Sequence, residues 1–325
     1  MINKLGFYIS NQYDPYINIA TEKHLFDTVE KDCVILYLWQ NDKTVVIGKN
    51  QNPWTECQCS LLEQDGGRVA RRLSGGGAVY HDLGNLNFTF ISATENYDLS
   101  RQMQVVKYAC SLAGIDTQIS GRNDILAGDK KFSGNAFYNS KGKSYHHGTI
   151  LINTNMQKMS TYLTPSRAKL ESKGVKSVKS RTVNLQELSA TLTCDKMREY
   201  MLTSFDKVYG LSASLCQNLD TDEILKLSNT YGSWEYIYGT PIPFTFSCDG
   251  SFSWGQITLQ IQVGNGIINH IKAYTDSMDW ALSELIESAL LNCRFDFISM
   301  KKALTKSLPD NLAKDIVELL KNQDI

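Results

Sequence analysis

Residues 71–82 read Arg71-Arg72-Leu73-Ser74-Gly75-Gly76-Gly77-Ala78-Val79-Tyr80-His81-Asp82. Three consecutive glycines let backbone N–H groups approach a ligand without side-chain clash, and successive N–H groups can form a concavity that binds an anion. A triple glycine alone is also what a flexible strand connection looks like; the flanking Arg71-Arg72, able to pair bidentately with phosphate or carboxylate, and His81-Asp82 at the far end favour a binding role. Val69-Ala70 precedes the glycines and the run Asn87 to Ile91 follows them, so the loop joins strand to strand. A Walker loop ends in Gly-Lys-Ser/Thr, and a Rossmann fingerprint opens a helix with spaced glycines. Neither pattern is present, which removes the two common parallel-sheet nucleotide folds.

Working outward, Phe7-Tyr8-Ile9 is a short apolar run before the turn-rich Asn11 to Pro15, and Ile17, Ala20, His24 and Phe26 predict a helix from about Tyr16 to Glu30. Cys33 to Trp39 and Thr44 to Ile47 are β-branched and aromatic, and the polar Gln40-Asn41-Asp42-Lys43 between them predicts an antiparallel hairpin. Asn87 to Ile91 alternates as a half-buried strand should, and Thr149 to Ile152 is a further strand after the polar turn Asn139 to Lys143. Ser100 to Ala113 is expected to be helical and to end at Gly114. Long strand runs with occasional helices indicate an α+β fold with a mixed, mostly antiparallel sheet and flanking helices.

A chain of 325 residues exceeds the size at which one core stops growing, so two domains are expected. Tyr238 to Pro243 holds two of the six prolines and reads as an extended connector, which places the domains at 1–244 and 245–325. The second, small α+β domain is expected to run from the alternating strand Ile257-Leu259-Ile261-Val263, through a turn at Gly264-Asn265-Gly266, into a strand from Ile267 to Tyr274. Helices from Trp280 to Leu291, Phe297 to Lys306 and near Asn311 to Leu320 complete it.

Lys plus Arg (33) balance Asp plus Glu (34), so the chain lacks the global charge of a bulk nucleic-acid binder, and any basic site must be local. Pro165 to Thr182 is one: six basic residues against Glu171 alone, either a solvated loop or a basic flap over an anionic ligand. From 245 onward the formal charge is about −3, so an acidic second domain could move against a basic first one. The eight cysteines form no CxxC pair and no zinc spacing, as expected of a reduced cytoplasmic chain. No stretch approaches the roughly 18 consecutive apolar residues of a membrane span, and Met1 to Ala20 has no cleavable apolar core.

A second constellation is Gly121-Arg122-Asn123-Asp124 with Gly128-Asp129-Lys130-Lys131-Phe132-Ser133-Gly134. A lysine pair in a tight turn is ordinarily solvated, but a return into a strand at Phe132 would aim one lysine inward. His146-His147 lie on opposite faces of a strand, so shared metal ligation is disfavoured and one inward-facing histidine is expected.

Taken together with Asn50-Gln51-Asn52-Pro53-Trp54 and Lys176 to Arg181, these motifs resemble the lipoate-protein ligase A family, whose catalytic domain is related to biotin ligases and octanoyl transferases. The resemblance implies a large catalytic domain with a small C-terminal accessory domain. It implies that ATP activates lipoate as lipoyl-AMP and that a lysine of an apo-lipoyl domain, on 2-oxoacid dehydrogenase E2 subunits or glycine-cleavage H protein, then attacks it. By the same resemblance Lys131 is catalytic, meeting both the lipoyl carboxylate and the α-phosphate. Arg72, Gly77, Ala78, Val79, Tyr80, Asn123 and Asp124 would bind ATP and the adenylate, Asp124 also holding Mg²⁺. Trp39, Arg72, Ser74, His81 and His147 would join Lys131 in binding lipoate. The basic segment would then shield the adenylate from water. Mg²⁺ and ATP are expected as activator and co-substrate, with no permanently bound cofactor, no nucleic acid or membrane partner, and a monomeric chain.

Two other readings stand beside it. Octanoyl or lipoyl transferases of related fold use a cysteine nucleophile, and Cys110, the nearest cysteine, sits among apolar residues of an expected helix. A non-catalytic lipoate-binding module would need the pocket but no ATP-dependent step.

Overall fold

The computed structural model describes residues 2–120, 124–163, 182–217, 219–238, 246–264 and 266–323. Its eleven N-terminal strands are β1 (Lys4–Ile9), β2 (Cys33–Trp39), β3 (Thr44–Ile47), β4 (Arg68–Arg71), β5 (Val79–His81), β6 (Asn85–Ala93), β7 (Gln118–Ser120), β8 (Asp124–Ala127), β9 (Lys130–Ser140), β10 (Lys143–Leu151) and β11 (Ser214–Leu215). Helices α1 (Pro15–Thr28), α2 (Leu99–Leu112), α3 (Cys194–Tyr209) and α4 (Thr221–Tyr231) accompany them. Eight strands form one sheet in the order β11-β1-β2-β6-β10-β9-β8-β7. The β11-β1-β2 pairings are parallel and the remainder antiparallel.

Alternation along β2 explains the layering. Val34, Leu36 and Leu38 point to one face, where Phe88 and Phe90 of β6 meet Val106 and Ala109 of α2 and Met201 and Phe205 of α3. Ile35, Tyr37 and Trp39 point to the other, against Leu25 and Phe26 of α1. Because helices cover both faces, β6 is buried at every position rather than on alternate ones, as its sequence suggested. For the same reason His146 and His147 do lie on opposite faces, yet both are buried; the expectation of a single inward histidine presumed one wet face.

The expected hairpin of β2 and β3 does not form. β2 lies in the large sheet between β1 and β6, whereas β3 is the middle strand of a separate sheet, order β4-β3-β5. The polar connection is an anchored corner, not an exposed turn: Asn41 is fully buried, accepting from Asn18 Nδ2 at 2.9 Å and facing His81 Nδ1 at 3.2 Å. Lys43 (φ 40°) then turns the chain into the second sheet.

In that sheet β4 runs parallel and β5 antiparallel to β3, so the glycine loop joins the two outer strands across the end of the middle one. The approach is close. A Cβ on Gly48 would stand 2.3 Å from the Gly76 carbonyl oxygen, so no side chain fits at 48, and Gly76 takes φ +88°, a region that disfavours other residues.

Residues 246–321 build a core of their own. Strands β12 (Phe246–Phe252), β13 (Gly255–Gly264) and β14 (Ile267–Thr275) form an antiparallel meander whose inward residues, including Ile257, Leu259 and Ile261, pack on α5 (Leu282–Leu290), α6 (Phe297–Ser307) and α7 (Asp310–Lys321). β12 was not anticipated. The proposed boundary at 244 falls within 239–245, outside the described residues. The turn after β14 reaches the glycine loop: Gly76 N–H donates to Ser277 O at 2.8 Å and Thr275 N–H to Asn50 O at 2.8 Å. Lys49 pairs with Glu284 at 2.8 Å and lies 4.3 Å from the ring centre of Trp280.

Candidate active site

Between α1, the glycine loop and strands β9 and β10 lies a cavity of about 120 Å³, with Trp39, Arg72, Gly77, Ala78, Val79, His81, Lys131 and His147 in its wall. Its shape starts from the β8–β9 turn. Gly128 (φ +63°) turns the chain, and a register shift at Ile125/Leu126 sets Lys131 opposite Leu126. Lys130 then points to solvent and Lys131 inward, where its Nζ bonds Asp124 Oδ1 at 2.8 Å. Gly134 gives the lysine room: a Cβ there would lie 3.0 Å from Nζ.

Both arginines of the loop serve backbone carbonyls. Arg71 donates to the carbonyls of Gly48, Lys49 and Gln51 from one terminal nitrogen and to Tyr236 and Ile237 through Nε. Arg72, 7% exposed, donates from Nη2 to Gly75 O and Gly77 O, both at 2.7 Å, from Nη1 to Val46 O at 3.1 Å and from Nε to Ser74 Oγ at 3.1 Å. Burial pulls each guanidinium down to about 10, still charged at neutral pH. Arg72 thus fixes the curvature of the loop from beneath.

From Ser74 the hydrogen bonds continue across the cavity floor. Ser74 Oγ lies 2.8 Å from His147 Nε2, and His147 Nδ1 lies 2.8 Å from Glu22 Oε1. That oxygen also accepts from Thr89 Oγ1 at 2.7 Å, which itself accepts from Trp39 Nε1 at 3.1 Å. Trp39 stacks on Tyr37 and meets His81 edge-on, with ring centres 6.0 Å apart.

Of the residues singled out from sequence, eight share the wall. Ser74 lies just behind it, fully buried, and Asp124 is held against Lys131. Tyr80 faces away, packing on Tyr162 at 5.6 Å. Asn123 and all of the basic segment Pro165 to Thr182 except Thr182 itself lie outside the described residues. The sequence reading missed Glu22 and Met278, which also line the cavity. Glu22 could have been found: it falls in the stripe Ile19, Glu22, Phe26 of α1, and a carboxylate inside an apolar stripe signals a buried polar role. Met278 arrives from the C-terminal unit and carries no local signal.

No group of three or more metal-ligating side chains occurs among the described residues. Asp124 is a single carboxylate, the share a protein commonly gives to a Mg²⁺ bound mainly through phosphate oxygens and water.

His81 and His146 are buried and neutral, each pushed down to about 3, first by desolvation. The unfolded chain titrates near 6.5, so below that pH it takes up protons that the folded state refuses, and stability falls as pH drops toward 3. At pH 5 each contributes roughly 2 kcal/mol of loss. Urea unfolding at pH 7 and pH 5 should show this fall, shrunk by about half in His146→Asn; equal midpoints at both pH values would refute it.

Residues 14–206 match the family model of the lipoyl protein ligase A/B catalytic domain, and residues 242–320 that of the bacterial lipoate protein ligase C-terminus. A lipoate-protein ligase A from Psychrobacter cryohalolentis is 38% identical over 90% of this chain and 89% of its own length. Among solved structures, P. falciparum LipL1 in complex with lipoate aligns with a TM-score of 0.85 at 30% identity, covering 98% of this chain and 100% of that one. A lipoate-protein ligase A bound with ATP shares the fold at a TM-score of 0.63 and 23% identity, over 74% of this chain and 99% of that one.

Proposed function

Since the chain belongs to the lipoate-protein ligase family, we propose that it joins free lipoate to a lysine of an apo-lipoyl domain in two steps at the cavity just described. The observation that carries this reading is the meeting of Lys131 and the glycine loop on one cavity that Trp39, Ile19 and Val46 also line. Lipoate lies with its chain along Trp39 and its carboxylate at Lys131, and ATP lies along the N–H groups of Gly77 to Val79.

In the first step a carboxylate oxygen attacks the α-phosphorus and pyrophosphate departs. Both reactants are anions, so fixed positive charge where they converge is the main contribution the chain can make. Lys131 supplies it; Arg72 acts one layer below, holding the loop carbonyls so that the loop N–H groups face the phosphates. Mg²⁺ arriving with ATP, with Asp124 as its protein ligand, would offset charge on the departing pyrophosphate. In the second step the acceptor lysine attacks the acyl carbon and AMP leaves. E2 subunits and glycine-cleavage H protein are the acceptors we assign. No described helix is long and apolar enough to cross a membrane.

A transferase reading needs a nucleophilic cysteine. Cys110 is fully buried on α2, its thiol pushed up to about 12 by desolvation, and no cysteine lines the cavity among the described residues. The separating experiment is ATP–pyrophosphate exchange. Exchange strictly dependent on free lipoate is expected; its absence, with octanoyl transfer between carrier domains instead, would overturn the ligase reading, and lipoate binding with neither activity would indicate a simple binder.

A further inference from the structure

Strand β1 runs between β2 and β11, and at Gly6 it carries no side chain. Two thiols use the space. A Cβ on Gly6 would stand 2.8 Å from Cys216 Sγ and 3.8 Å from Cys33 Sγ, so the sulfurs flank the glycine, about 6.6 Å apart at most. Cys33 opens β2, and Cys216 extends β11 by one residue, its N–H donating to Phe7 O at 2.8 Å. Both cysteines are half-buried. With Gly6 they line a cavity of about 710 Å³, bounded also by His24, Leu25 and Thr28 of α1, which shares no residue with the catalytic cavity.

A disulfide does not suit this pair. Neighbouring strands lie about 4.7–4.9 Å apart, so Cα atoms on β2 and β11, with β1 between them, are separated by about 9 Å or more, whereas a disulfide spans about 4.4–6.8 Å. One atom held between the sulfurs removes the mismatch: two metal–sulfur bonds of about 2.3 Å span about 4.6 Å, within reach of rotation about χ1. The number of donors then selects the ion. Tetrahedral zinc takes four ligands, and among the described residues no group of three or more His, Cys, Asp or Glu can hold a metal. His24, in the wall of the same cavity, has both ring nitrogens engaged, Nδ1 by Glu223 Oε2 at 3.0 Å and Nε2 by the Asp220 N–H at 3.3 Å. Thiolates select soft cations, and of these Cu(I) is satisfied by two sulfurs in line.

We propose that Cys33 and Cys216 form a two-coordinate site for a soft monovalent cation of the Cu(I) class. Binding breaks two S–H bonds, forms two Cu–S bonds and releases two protons, with no change in oxidation state. Burial pushes both thiols up, so they meet the ion protonated and each gives up its proton to it. The bound ion ties β11, an edge strand of two residues, to β2 across β1.

The test is a competition titration of the full chain, kept anaerobic and reduced, against Cu(I) buffered by the chelator bicinchoninate, followed by X-ray absorption at the copper edge. The wild-type chain is expected to withdraw one Cu(I) with release of two protons, and the absorption spectrum to show two sulfur neighbours with no nitrogen or oxygen at bonding distance. Cys33→Ser and Cys216→Ser should each lower the affinity by about 100-fold or more, since one thiolate is then lost from a site of two. Cys57→Ser, which alters the other close cysteine pair, Cys57 and Cys59, should leave it within about twofold. Failure of the wild type to compete, a third ligand in the spectrum, or retention of the ion by Cys33→Ser with its loss from Cys57→Ser would overturn the proposal. The wild-type titration and spectrum decide even if a variant does not fold.

Discussion

Lys131→Ala is expected to lower lipoate-dependent pyrophosphate exchange by about 10³-fold or more while the melting temperature stays within a degree or two of wild type. The two halves of this expectation have separate causes. Lys131 Nζ is the cation at which carboxylate and α-phosphate meet in the proposed geometry, and its removal leaves two anions to approach one another with no fixed charge between them. Its ion pair to Asp124 at 2.8 Å joins side chains 33% and 37% exposed, and pairs of that kind contribute at most about 1 kcal/mol. Lys131→Arg should not restore the rate, because Nζ already lies where a Cβ on Gly134 would be only 3.0 Å away and a planar guanidinium is wider. Radiolabelled pyrophosphate exchange together with a thermal melt reads both quantities. Wild-type exchange in Lys131→Ala would take the residue out of the reaction; a large fall in melting temperature would make its loss of activity a folding defect.

Legibility in the sequence followed the range of the interactions. That a glycine loop leaves a strand at Val69-Ala70 and joins strands was readable because the glycines and their flanking residues are contiguous, but the strand it enters is Val79–His81, not the expected Asn87 to Ile91, which lies in the other sheet. β13, β14 and the helices of the C-terminal unit were readable for the same reason, Ile257, Leu259 and Ile261 alternating as a one-sided sheet demands, whereas β12 was not. Gln40 to Lys43 was misread as a hairpin turn because its polarity looks like exposure, whereas Asn41 is buried by partners 23 and 40 residues away. Glu22 was passed over because its partners, Thr89 and His147, lie 67 and 125 residues along the chain. The contact of Ser277 and Met278 with the glycine loop depends on how two separate cores pack, which no local pattern records.

Arg72→Lys separates loop shape from charge and should fail in a different way from Lys131→Ala. The guanidinium fork holds Val46 O, Gly75 O, Gly77 O and Ser74 Oγ at once, at 7% exposure. A lysine keeps the charge but cannot span acceptors on both sides of the loop, so at least one buried carbonyl loses its donor, at about 1–3 kcal/mol each. A loss of about 3 kcal/mol corresponds to a fall in melting temperature of roughly 6–12 °C for a domain of this size. The Gly77 carbonyl that Arg72 fixes shares its peptide unit with the Ala78 N–H, so KM for ATP should rise by about 10-fold or more while KM for lipoate changes less. That split marks a positioning residue, since direct contact with the lipoyl carboxylate would raise both constants together. The same loop carries the Gly76 N–H that meets Ser277 O, so the variant should also loosen the C-terminal unit, visible as a larger radius of gyration in X-ray scattering. An unchanged melting temperature and an unchanged KM for ATP would show that one well-placed charge is enough to hold the loop.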